Sequence, residues 1–119
     1  MIVKIVGTFA LGVIFVSCLK DKTVEPVADV CEDTVFYATE IQGPIMNTGC
    51  AVSGCHNSGT AAAGFVFESH AQVSFNATTI LSAIKHDGSA APMPLGGSKL
   101  NDSLIQKFDC WIKQGKLNN

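Results

Sequence analysis

The sequence predicts a small all-α domain, three to five short helices joined by long loops. Three observations carry that expectation. The chain has 119 residues, which is room for one small domain. Apolar residues recur at spacings of three and four in several windows, the period of a helix with one buried face. Gly and Pro concentrate in two central stretches, 49–64 and 87–98, which must then be loops between those windows. No internal repeat is present.

Taken in order, Met1 to Lys4 is a short start with one positive charge. Ile5 to Val16 is an apolar run of twelve residues broken only by Thr8 and two glycines. It is too short to span a bilayer as a helix and has the length of a signal-peptide core. It ends in Val16-Ser17-Cys18. A small residue followed by Cys after such a run resembles a bacterial lipoprotein cleavage site, although Phe15 stands where an aliphatic residue is usual. On this reading residues 1–17 are a lipoprotein-type signal peptide and Cys18 carries lipid. Residues 18–30 then form a flexible tether, with a reach of about 20 Å at roughly 5–6 Å × √n. A plain signal peptide cut elsewhere is the other reading. Either one exports the chain to a compartment that permits disulfides.

The remaining segments follow the same logic. Thr34 to Met46 is expected to be helical, with Val35, Tyr37, Ala38, Ile41 and Ile45 on its apolar face and a kink or restart at Gly43-Pro44. Gly49 to Gly64 is a loop with one helical turn at most, and Phe65-Val66-Phe67 is extended. Ser69-His70-Ala71-Gln72 fits a capping box that opens a short helix. Asn76 is placed to cap a second helix ending at Ile84; its Asn-Ala-Thr sequon is taken as incidental. Asp87 to Ser98 is a long irregular loop. Asn101 to Gln114 is the clearest helix, with Leu104, Ile105, Phe108, Trp111 and Ile112 as its stripe and Gly115 as its stop.

Composition excludes one class of function. All eight basic residues are Lys, and ten acidic residues bring the net charge to −2, so the basic stripe of a nucleic-acid binder is missing. Residues 1–18 hold 13 apolar residues, and the rest has an ordinary soluble composition.

Five cysteines in so short a chain is the unusual feature, and an odd number cannot all pair. Two of them stand in Cys50-Ala-Val-Ser-Gly-Cys55-His56. Covalent haem attachment needs two thiols for the two vinyl groups and an imidazole directly after the second thiol. The common spacing is C-x-x-C-H; four intervening residues demand a bulged loop, for which Gly54 supplies freedom. A local disulfide or a metal half-site is the alternative use, and Cys31, Cys110, His70 and His86 are the residues that could complete a zinc site. The second feature is Ala91-Pro92-Met93-Pro94. A Met held between two prolines ahead of an aromatic helix is poorly explained as core packing, and a thioether is a good sixth ligand for haem iron.

The order C-x4-C-H, a Gly/Ala-rich stretch, a short helix, M-P and a terminal W-I-x-x-G-x-x-N-N resembles the small c-type cytochrome domains with an extended C-x4-C-H site found on bacterial lipoproteins. The likeness covers residues 31–119 and rests on CAVSGCH (50–56), APMP (91–94) and WIKQGKLNN (111–119). It implies a cytochrome c-like fold around one covalent haem c. Cys50 and Cys55 would be the thioether residues, His56 and Met93 the iron ligands, and Trp111 would pack on the haem or its supporting helix. Lys116 replaces the Ala of several relatives and is expected to be a surface change. A buried haem would also supply apolar surface that about a hundred residues provide thinly by themselves.

Four residues keep open assignments. Cys110 projects about 100° from Trp111, toward the polar side of its helix, where a segment carrying Cys31 could lie across it. A Cys31–Cys110 bond would close a loop worth about 3–5 kcal/mol; two unrelated thiols is the alternative. His86 either steadies a helix end, bonds a haem propionate or replaces Met93 as ligand. His70 is expected at the surface or at an edge.

The functional expectation is a monohaem single-electron carrier in the periplasm, membrane-anchored by lipid in either membrane, and not an enzyme, since two axial protein ligands leave no open coordination position. Its partner would be another cytochrome or a membrane oxidoreductase. Residues 82–119 carry five Lys and three acids, so a mildly basic face near the Met loop is expected to meet an acidic redox partner. Two other readings use the same residues: a haem-free, disulfide-stabilised lipoprotein module acting as a structural or binding accessory, and a haem sensor whose Met93 is displaced by a small ligand.

Overall fold

The first helix begins three residues later than its apolar pattern suggests and runs four residues further. In the computed structural model, which describes residues 31–119, it spans Tyr37–Cys50 and is called α1. The signal peptide, lipid-bearing Cys18 and tether lie outside the described residues. The late start has a cause. Val35 donates its N–H to Gln114 Oε1 at 2.9 Å, and Phe36 is extended. Val35 is therefore buried from a strap that precedes the helix, not from the helix itself. Pro44 sits inside α1 without breaking it, because the helix has the wide π-type winding. It closes with Ala51 N–H on the Met46 carbonyl, five residues back, at 2.7 Å.

Three further helices follow: α2 (His70–Phe75), α3 (Ala77–Lys85) and α4 (Asp102–Lys113). A single 3-10 turn at Ala62–Gly64 precedes them. The domain is all-α, with no strand among the described residues. None of these helices is long and apolar enough to cross a membrane.

The capping chemistry is mostly as the residue types require. Ser69 accepts from Gln72 N–H, and the Gln72 side chain accepts from Ser69 N–H at 3.0 Å, completing a capping box. Asn101 accepts from Ser103 N–H at 2.8 Å at the start of α4. Asn76 differs from expectation. It stands between α2 and α3, and its side chain does not accept from α3 but donates backward to the Gln72 carbonyl at 2.8 Å. One residue shared by two helix ends serves the earlier one.

The core forms where α4 packs against both α1 and α3. Phe108 and Trp111 of α4, Ile41, Ile45 and Met46 of α1, and Val73 and Ile84 are fully buried. Each large side chain contributes about 1.5–3 kcal/mol on leaving water. Tyr37 joins this core and packs on Trp111 at 5.3 Å between ring centres. Burial pushes its phenol up to about 12 from 10. The folded state thus holds that proton more tightly, so stability is untouched below pH 10 and falls as the pH rises to 12. Up to about 2–3 kcal/mol is at stake. Chemical denaturation across that range should show the decline in the parent chain and a shallower one in Tyr37→Phe.

The two ends of the domain are fastened together. Cys31 and Cys110 form a disulfide, with Cα atoms 5.2 Å apart. Cys110 is buried and belongs to the core, because the strap carrying Cys31 lies across its side of α4, as its helical position suggested. Gln114 adds bonds to the carbonyls of Cys31 and Asp33, and Asn119 accepts from the N–H groups of Tyr37 and Ala38. Glu40 and Lys107 pair across α1 and α4, and that bond holds the Glu40 carboxyl below its ordinary range.

Candidate functional site

Because α1 runs through Gly49, Cys50 sits on the last residue of a helix and not in the loop expected from 49 to 64. The loop after it is closed by His56 N–H on the Cys50 carbonyl at 3.0 Å. Gly54 takes a left-handed backbone (φ +83), and its N–H donates to Thr60 Oγ1. The four extra residues between the thiols are thus a folded turn. Past the turn, Ala62 N–H bonds the Cys55 carbonyl and Phe67 N–H bonds the His56 carbonyl, which lays 65–67 alongside.

His56 is buried against Phe67, ring centres 4.7 Å apart. Its Nδ1 lies 3.3 Å from the Phe65 carbonyl. That contact orients the ring and leaves Nε2 as the atom to face a ligand. Cys50 and Cys55 are both half-buried free thiols. Burial pushes the Cys50 thiol up to about 11, and neighbouring Cys55 adds to the shift.

The Met loop arrives from the other side. Met93 N–H donates to the Ala83 carbonyl of α3 at 3.0 Å, and the Met93–Pro94 peptide is cis. Cys50, His56 and Met93 then line one cleft of about 180 Å³. Its walls are Phe65 and Phe67 on one side and Ile80, Ala83 and Ile84 of α3 on another, with Asn76 and Thr79 as its polar side chains. Thiol, imidazole and thioether lining one apolar cleft is the donor set of a His/Met-ligated haem; Cys55 is not among the lining residues.

Other expected site residues lie elsewhere. Trp111 does not line the cleft. Its indole N–H is taken by the Leu117 carbonyl at 2.8 Å, and its rings stack with Tyr37 and Phe108 in the core. His86 is not a lining residue either; it ends α3 and bonds the Met93 carbonyl. His70 is half-buried, at an edge of the domain. It packs edge-on against Tyr37 and bonds the Lys116 carbonyl at 2.8 Å. Lys116, expected to be a surface change, is half-buried, and its ammonium reaches the Ser74 carbonyl. The zinc alternative fails on geometry, since two of its ligands form the disulfide. No group of three or more His, Cys, Asp or Glu suited to a metal ion occurs among the described residues. Residues 88–98 of the Met loop carry no charge, and Lys85, Lys99, Lys107 and Lys113 around it stand in ion pairs, Lys85 and Lys113 sharing Asp109.

The aromatic wall and the α3 face were not singled out by sequence. Ile80, Ala83 and Ile84 do recur at helical spacing, which marks a buried face but not what it faces. Compared with known proteins, the chain matches no family model, no curated protein and no solved structure.

Proposed function

We propose that this chain is a monohaem c-type cytochrome with a cytochrome c-like fold, a single-electron carrier held at a bacterial membrane by lipid on Cys18 and working in the periplasm. One observation carries the reading: Cys50 and His56, from one folded turn, and Met93, from a loop some forty residues further along, line the same apolar cleft.

A bound haem would supply the one-electron couple of its iron. The chain's own residues do the rest. Cys50 and Cys55 hold the group by thioether bonds from a turn that is already folded. His56 presents Nε2, with Nδ1 held by the Phe65 carbonyl. Met93 offers its sulfur from the opposite loop, and a thioether ligand raises the potential. Buried Phe67 and the α3 face would keep water from the group and disfavour its more charged oxidised state. With His56 and Met93 as the residues that would both hold the iron, electron transfer to another cytochrome or a membrane oxidoreductase would be the role, not catalysis.

The test is expression with a haem-attachment system. The expected protein gains the mass of one haem and, when reduced, shows the sharp α and β bands of a low-spin c-type centre. Met93→Ala should lower the potential; an unchanged value removes Met93 as a ligand. A product of unaltered mass, with Cys50 and Cys55 joined to each other, would mean a haem-free module instead. A high-spin ferrous spectrum would mean a sensor.

A further inference from the structure

The loop Ala91-Pro92-Met93-Pro94 has few ways to hold itself in place. Pro92 and Pro94 have no N–H, so Met93 owns the single backbone donor between positions 92 and 94. That donor is used on the Ala83 carbonyl at 3.0 Å. The carbonyl of Met93 is met by His86 Nε2, also at 3.0 Å. Met93 is therefore gripped on both sides of its Cα by one turn of α3, whose Ala83 and Ile84 also wall the cleft.

His86 reaches this position through an uncommon backbone. It ends α3 in the left-handed region, φ 57 and ψ 40, where glycine is the usual residue. A residue needed only to end the helix would be better as glycine. The imidazole is what glycine lacks, and it is exposed except for its bond to Met93.

We infer that His86 is a positioning residue: its Nε2–H fixes the Met93 carbonyl, and with it the height of the thioether over the cleft. The inference rests on Met93 being an iron ligand. It assigns His86 neither to the iron nor to a propionate.

Imidazole titration of the ferric, haem-loaded protein measures how readily Met93 is displaced. His86→Gly removes the grip and also relieves the left-handed backbone. It should tighten apparent imidazole binding by about three- to tenfold, the worth of one hydrogen bond, with a thermal midpoint equal to or above the parent's. His86→Gln restores a donor at similar reach and should return the affinity most of the way. In the same variants, hydrogen exchange at the Met93 amide should quicken for Gly and recover for Gln. A Gly variant that binds imidazole within a factor of about two of the parent, with unchanged Met93 exchange, overturns the inference. Met93→Ala is the control. If it fails to tighten imidazole binding, Met93 is not a ligand and the assignment of His86 falls with it. If it does tighten binding while His86→Gly does not, only the role of His86 is lost.

Discussion

Changing Cys50 and Cys55 together to serine yields a chain that leaves a haem-attachment system with no added mass and no haem absorption. Serine hydroxyls do not form the thioether bonds, and no other free thiol occurs among the described residues, because Cys31 and Cys110 are bonded to each other. Either single variant retains one attachment point and should give a weaker, heterogeneous product. His56→Ala keeps both thiols and should still gain mass, but with the spectrum of a centre that has lost a strong axial nitrogen. The double variant should also be less stable than the loaded parent. Covering the apolar walls of the cleft removes enough surface from water to be worth several kcal/mol at about 25 cal/mol per Å². In a domain of this size that is a drop in thermal midpoint on the order of 10–20 °C. Mass spectrometry and a melting curve of the parent and the four variants settle it. A double variant that still carries covalent haem would refute the roles of both thiols.

What was legible in the sequence was local chemistry; what was not was which local pieces meet. Ser69 and Gln72 announced their capping box because both partners lie within one turn. Ile105, Phe108 and Trp111 announced a buried stripe because a helix repeats every 3.6 residues. Cys50, Cys55, His56 and Met93 stood out by residue type and spacing, and the fold brings Cys50, His56 and Met93 to one cleft. Several differences came from long-range partners, although Asn76 was turned by Gln72, four residues back. Val35 looked helical until Gln114, 79 residues away, took its N–H. Cys110 was placed to meet a segment carrying Cys31, and the strap is that segment. Trp111 was expected on the haem or its supporting helix; the Leu117 carbonyl and Tyr37 of α1 hold it in the core. The sequence near His70 held no sign that its ring would bond Lys116, 46 positions on.

The second large effect is expected at the strap. Cys31 and Cys110 are 79 positions apart, so their bond closes most of the domain into one loop and removes much of the freedom of the unfolded chain. In the chain-entropy account a loop of that length is worth roughly 4 kcal/mol. That is a large share of the 5–15 kcal/mol or so that a domain holds in total. Reduction, or Cys31→Ala with Cys110→Ala, should therefore lower the unfolding free energy by about that amount. Gln114 should not replace the lost link, because its bonds to Val35, Cys31 and Asp33 need the strap already in place. Thioether bonds resist thiol reductants, so reduction of haem-loaded protein acts on the strap and leaves attachment intact. The strap closes against α4, whereas the residues lining the cleft come from α1, α3 and the loops, with none from α4. The potential and absorption spectrum should accordingly be the same before and after reduction, while the denaturation midpoint falls. A loss under about 1 kcal/mol would mean that the strap's hydrogen bonds and Val35 hold it without the sulfur link. A shifted potential would mean that α4 transmits strain to the cleft. The expected result, a large change in stability with none in the redox centre, separates what holds the two ends of this domain together from what its cleft does.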